Sequence, residues 1–138
     1  MDGSVSTLAP IFAAVFATHQ PHVGFVVGLS AAVGAGISMA FAEALSDTGE
    51  QTGRGNPVTR GMVTGIMTFV GGFLHTLPFL IPSLQVALYA AYCVVTFELI
   101  VIATIRFRFF KMPFAKSILQ VVIGGALVFL AGVLIGGG

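Results

Sequence analysis

Apolar residues run along this chain in five long blocks, broken by short segments rich in Pro, Gly and polar residues. The first block covers about Gly3 to Thr18 and ends at HQPH, where Pro21 and two histidines mark a turn. The second runs from about His22 to Ser46 and the third from about Pro57 to Leu77. After the link PFLIPS, the fourth covers about Leu84 to Ile105 and the fifth about Ser117 to Ile135, followed by a glycine tail. A membrane-spanning β-barrel would need period-2 alternation in strands of roughly ten residues. Stretches such as VALYAAYCVVTFELIVIATI show none, so helices satisfy the backbone. The pattern predicts an all-α membrane protein, a single transmembrane domain over residues 1–138 with five transmembrane helices.

Composition supports the lipid environment. The chain is 57% hydrophobic and 8% charged, against roughly 25% charged in a soluble domain, and its mean hydropathy is +1.03. A span takes roughly 20 residues, so five fill the 138 residues and leave no room for a soluble domain. A net charge of +1 without a basic face makes nucleic acid an unsuitable partner. The lone Cys93 lies in an apolar run and reads as a packing or lipid-facing residue. The first Lys or Arg is Arg54, so no basic n-region marks a cleaved signal peptide.

The basic residues set a direction. Arg54 and Arg60 flank the second link; Arg106, Arg108, Lys111 and Lys116 occupy the fourth; the first and third links carry none. With five spans both basic links share a side with the N-terminus, which the positive-inside rule places in the cytoplasm, leaving the C-terminus outside. The expected location is a bacterial inner membrane. The first block is short: about 16 residues reach about 24 Å, less than the roughly 30 Å hydrocarbon core. Our reading is that the chain begins inside that helix, with Asp2 in the membrane and earlier residues supplied by a longer relative.

An ionisable side chain in a span costs roughly 2.5 to 3.5 kcal/mol on insertion scales, so each needs a partner, a cavity or a role. Asp2, Glu43, His75 and Glu98 are the candidates. At about 1.5 Å per residue, Glu43 falls about 5 Å and Glu98 about 10 Å from the cytoplasmic side, with Asp2 in the same half and His75 about 25 Å up the third helix. These depths predict three carboxylates around one cytoplasm-facing cavity, with His75 apart. Met39, Glu43 and Asp47 are spaced i, i+4, i+8 and share a helix face with Ser46 beside them. A thioether beside carboxylates suits Fe²⁺ or Mn²⁺ better than Mg²⁺. Singly, Met39 reads as packing, Glu43 as a snorkelling helix-end residue and Asp47 as a solvated link residue; their coincidence with Asp2 points to a metal path.

Gly24, Gly28, Ala32, Gly36 and Ala40 form a small-residue ladder, and Gly61 with Gly65 a second. Glu43 follows Gly36 by seven residues, which places it at a helix crossing rather than toward lipid. His75 and Glu98 are candidates for a proton relay, with a hydrogen-bonded structural histidine as the alternative for His75. The chain holds no GxxxxGK[ST], HExxH or CxxC. Neither an enzyme nor an ATP-driven pump is expected, and no permanently bound cofactor.

At DGSVST and GISMAFAEALSD the chain resembles the vacuolar iron transporter family, which carries a DG-hydroxyl motif in its first helix and an SMA-x-x-E motif in its second. The similarity continues through GRGNPVTRGMVTGIMTFVGG and QVVIGGALVFLAGVLIGGG. It looks closest to the membrane domain of bacterial erythrin fusions, the membrane-bound ferritins. The resemblance implies a five-helix subunit that forms a homodimer in the lipid bilayer, with the ion path at the two-fold interface, exporting Fe²⁺ in exchange for protons. It assigns Asp2, Met39 and Glu43 to the metal, and Ser6 and Thr7 to the hydroxyls after the DG pair. Ser46, Asp47 and Glu98 join the pathway on their positions alone. The metal-collecting helical domain of vacuolar members is replaced here by the link DTGEQTGRGN, so a ferritin-like domain would be a partner supplied by a longer chain. A membrane anchor for such a partner is the alternative function, and a passive cation channel a third.

Overall fold

The computed structural model describes residues 2–49, 52–110 and 113–137, with the backbone alone at Asp2, Phe110, Phe114, Ser117 and Val121. Lys111 of the expected basic loop lies outside the described residues. Among the described residues the regular structure is helical throughout: α1 Asp2–Thr18, α2 Pro21–Ala44, α3 Pro57–Leu74, a 3-10 segment Leu77–Leu80, α4 Leu84–Phe110 and α5 Phe114–Gly136.

The ends follow from local chemistry. Pro21 and Pro57 occupy first-turn positions, where a missing N–H costs nothing. The Asn56 side chain caps α3 by accepting from the amides of Val58 at 2.9 Å and Thr59 at 3.2 Å. The third helix stops at Leu74, not at about Leu77; Pro78 has no N–H to donate to the Leu74 carbonyl, so the α-helical ladder cannot continue through it. The chain tightens instead into the 3-10 segment. The fourth helix runs beyond Ile105 to Phe110, with Arg108 in its last turn, where a cation meets the negative end of the helix dipole.

Three helices among the described residues are long and apolar enough to cross a membrane: α2, α4 over Leu84–Phe109 and α5 over Ile118–Gly136. The 17-residue α1 is short, and the apolar character of the 18-residue α3 is diluted by Arg60, threonines and glycines.

Packing depends on close backbone approach. α2 and α3 run antiparallel, with Gly36 against Gly65 and Phe69, and Ala40 and Ala44 against Gly61. A Cβ added at Gly65 would stand 2.7 Å from both the Gly36 carbonyl oxygen and Ala40 Cβ. With lipid on the outside, such small-residue contacts supply van der Waals attraction that the hydrophobic effect cannot.

The short first helix is the centre of the molecule. Its buried residues Ser4, Thr7, Leu8, Ile11, Phe12 and Val15 recur at three- and four-residue intervals, the pattern of a helix covered on one face. α1 packs on α2, α3 and α5. Phe12 is its hub, with ring centroids 4.9 Å from Phe129, 5.8 Å from Tyr92, 5.9 Å from Phe16 and 6.3 Å from Phe79. Gly3 abuts Thr68, and Ile11 and Thr76 both meet Gly28, so α1 lies parallel to α3 and starts beside its middle. The outer faces carry exposed apolar residues such as Ile37, Phe41, Met62, Ile66, Phe97 and Leu127, which is what contact with lipid requires.

Candidate functional site

Two polar clusters stand out. The first lies where α2 ends and α3 begins. Because Asn56 caps α3 and the small-residue ladder holds the helices together, Arg60 in the first turn of α3 faces the last turn of α2. Its Nε donates to Glu43 Oε1 at 2.9 Å, and Arg54 Nη2 reaches the same oxygen at 2.9 Å. Both arginines also hold Asp47: Arg54 Nη1 lies 3.1 Å and Arg60 Nη2 3.3 Å from Oδ2. Asp47 Oδ1 accepts from the Gly49 amide at 2.6 Å and from Thr52 at 3.0 Å. Ser46 donates to the Glu43 carbonyl at 2.8 Å and lies 3.3 Å from Arg60 Nη2. Two carboxylates and two guanidiniums thus form a compact unit without net charge. Desolvation pushes the Asp47 carboxyl up, but hydrogen bonds from Thr52 and the Gly49 amide and the charge of Arg60 outweigh it and hold Asp47 below its ordinary value.

Asp47 lies beyond Ala44, where α2 ends, so it reaches Glu43 through the shared arginines rather than through a helix face. Met39 sits one turn deeper than Glu43 and is half-buried. Glu43 does lie at a helix crossing, bonded to α3.

The second cluster is deeper. His75, the residue just past α3, is 2% exposed and places Nε2 2.8 Å from Glu98 Oε2. The other imidazole nitrogen, Nδ1, lies 2.9 Å from the Gly71 carbonyl oxygen. Ser4 Oγ of α1 donates to Glu98 Oε1. The expected arrangement, with Glu98 beside Glu43 and His75 apart, is therefore overturned. Glu98 belongs with His75, at the level of Gly71, eleven residues or about 16 Å along α3 from Arg60. The depth estimate failed because α4 continues to Phe110, so Glu98 is further from that helix end than an end at Ile105 implied.

Of the remaining candidates, Ser6 is exposed, whereas Thr7 is buried and donates to the Gly3 carbonyl at 2.9 Å. Asp2 opens α1 near Thr68, and its side chain lies outside the described residues. Among the described residues no three of His, Cys, Asp and Glu converge on a point that could hold a metal ion.

Sequence reading missed the arginines as partners of the carboxylates, treating them as topology signals. The available signal was the short link: antiparallel helices joined by so few residues must bring Arg60 near the last turn of α2. It also passed over Ser4 in favour of Ser6 and Thr7.

A sequence model of the VIT family matches residues 44–137. The match begins one residue after Glu43, so the DG and SMA-x-x-E segments lie outside it. Comparison with curated proteins and with solved structures finds no match. Matched over more than half its length and built of apolar helices able to span a bilayer, the chain is a multi-pass membrane protein that belongs to the VIT family, the vacuolar iron transporters, a family of transporters rather than enzymes.

Proposed function

We propose that this chain is a proton-coupled exporter of divalent metal, with Fe²⁺ the first substrate and Mn²⁺ the second. It acts as a homodimer in a bacterial inner membrane and crosses it five times, with the N-terminus and both basic links in the cytoplasm and the C-terminus outside. Asp2, Met39 and Glu43 of both subunits line the path, with Ser6, Thr7, Ser46 and Asp47 beside it. Membership of the VIT family supports transport and a metal substrate. The clustering of the basic residues around two links, with Arg60, Arg106, Arg108 and Lys116 in the helix ends that flank them, supports the orientation.

The observation that carries the site is the Glu43–Asp47 pair at the end of α2, whose carboxylates bind the cationic groups of Arg54 and Arg60. Arg54 is half exposed while Arg60 is largely covered, so an arriving cation displaces Arg54 and leaves Arg60 as the fixed counter-charge. Oxygen from Glu43 and sulfur from Met39, one turn deeper, then suit a borderline ion better than Mg²⁺.

Reconstitution into liposomes with a metal-sensitive dye on one side tests the assignment. Wild-type protein should move Fe²⁺, and Glu43→Ala should reduce the rate at least ~10-fold, the equivalent of ~1.4 kcal/mol in the barrier. The alternative reading is a membrane anchor for a ferritin-like partner. Wild-type protein that dimerises and moves no metal would establish that reading instead, and flux undiminished in Glu43→Ala would remove Glu43 from the path.

A further inference from the structure

The contact between His75 and Glu98 fixes a proton count. A carbonyl oxygen only accepts, so the hydrogen bond to Gly71 requires the hydrogen on Nδ1 of His75. Nε2 then carries either a lone pair, in the neutral ring, or a second hydrogen, in the imidazolium. It stands 2.8 Å from Glu98 Oε2, an atom with no other hydrogen bond. Two lone pairs cannot face each other at that distance, so one proton lies between them. Either Glu98 is a neutral acid donating to neutral imidazole, or the carboxylate accepts from imidazolium. Both forms are neutral overall. Losing the proton would leave a net negative charge in a largely buried site, and adding one would leave a net positive charge. Ser4 donates to the second carboxyl oxygen in either form.

Oε2 itself is covered, but the carboxyl group it belongs to is open on another side. Glu98 is 15% exposed. It forms part of the wall of an apolar groove of about 780 Å³ between α4 and the end of α3 with the 3-10 segment, lined by Leu74, Leu77, Phe97 and Val101. The described side chains bonded to Glu98 are His75 from the end of α3 and Ser4 from α1, with Asp2 two residues before Ser4, and the positive charge of the N-terminus also acts on it.

We infer that Glu98 and His75 form a proton-binding site that holds one proton, is separate from the Glu43–Asp47 cluster, and is reached from the bilayer through the groove between α3 and α4. Its role as the site of the exchanged proton rests on the exporter reading above; its occupancy and access do not. Chemistry follows from the position. An apolar carbodiimide dissolved in the bilayer takes the shared proton on one of its nitrogens, while a Glu98 oxygen bonds to its central carbon. The resulting O-acylisourea rearranges to a stable N-acylurea, an addition with no leaving group and no redox partner.

The test treats the whole protein in liposomes with dicyclohexylcarbodiimide or with a charged, water-soluble carbodiimide, and maps adducts by mass spectrometry. The apolar reagent should add its full mass once, on Glu98, and the charged reagent should leave Glu98 unmodified. An unmodified Glu98 with the apolar reagent, or equal modification by both, would overturn the inference. Glu98→Gln keeps the hydrogen bonds, since its amide oxygen accepts from Ser4 and its amide nitrogen donates to neutral His75, but it has no acidic proton. It should lose the adduct, keep wild-type thermal stability, and lose at least ~10-fold of the proton counterflow that accompanies metal. Full counterflow in Glu98→Gln would remove the exchange role. Labelled Glu98 in a wild-type protein that moves metal without protons would refute the exporter reading and leave the proton site standing.

Discussion

Phe12→Ala is expected to be the most destabilising single truncation in this protein, costing about 3 kcal/mol. Phe12 is 1% exposed, and its ring meets rings from its own helix, the 3-10 segment, α4 and α5. Truncation leaves a cavity where all of these elements meet. In lipid the transfer part of the usual penalty shrinks, because the unfolded helix also faces hydrocarbon, so the lower end of the range for a buried Phe applies. The control is Phe41→Ala, a residue 64% exposed on α2, expected to change stability by less than about 0.5 kcal/mol. Unfolding in mixed micelles by two probes, one on α1 and one on α5, checks both. Equal losses in the two variants would contradict a core centred on α1.

Gly65→Leu should separate α2 from α3. The added Cβ meets a backbone oxygen of Gly36 as well as Ala40 Cβ, neither of which can swing aside as a flexible side chain could. The helices must move apart along the ladder, at a cost of about 3 kcal/mol. The movement also draws Arg60 away from Glu43, so a destabilised protein should show the first cluster loosened. Gly34→Leu is the matched control: nothing lies within 4 Å of its added Cβ, and Leu is the better helix former by roughly 0.8 kcal/mol. Thermal unfolding in detergent should show a large drop for the first substitution and none for the second. A neutral Gly65→Leu would contradict the close α2–α3 crossing.

Much of this architecture was legible in the residue pattern, for identifiable reasons. Long apolar blocks and proline punctuation located the five α-helices, though not the 3-10 segment, since in lipid the backbone must satisfy itself. The spacing of Gly36 and Glu43 was enough to turn the carboxylate toward a helix crossing, and the structure makes that crossing the one with α3. The short α1 looked weakest because length was the only measure available. Its central position depends on contacts with α2, α3 and α5, which no local pattern reports. Glu98 and His75 were flagged as costly residues but not as a pair, because depth was counted from helix ends and the end of α4 was misplaced at Ile105. Arg60 was read for its charge. Its partners follow from the tightness of a link that charge counting ignores.

In a proton-coupled exporter, metal and proton movement are tied together. The direct measurement is Fe²⁺ flux in proteoliposomes under an imposed pH gradient, with internal pH recorded at the same time. A proton-coupled exporter should let a proton gradient drive metal the opposite way, protons should appear on the metal-depleted side as metal leaves, and a protonophore should abolish the gradient-driven part of the flux, leaving only exchange driven by the metal gradient. Metal flux of the same size with the gradient present, reversed or collapsed would contradict that coupling.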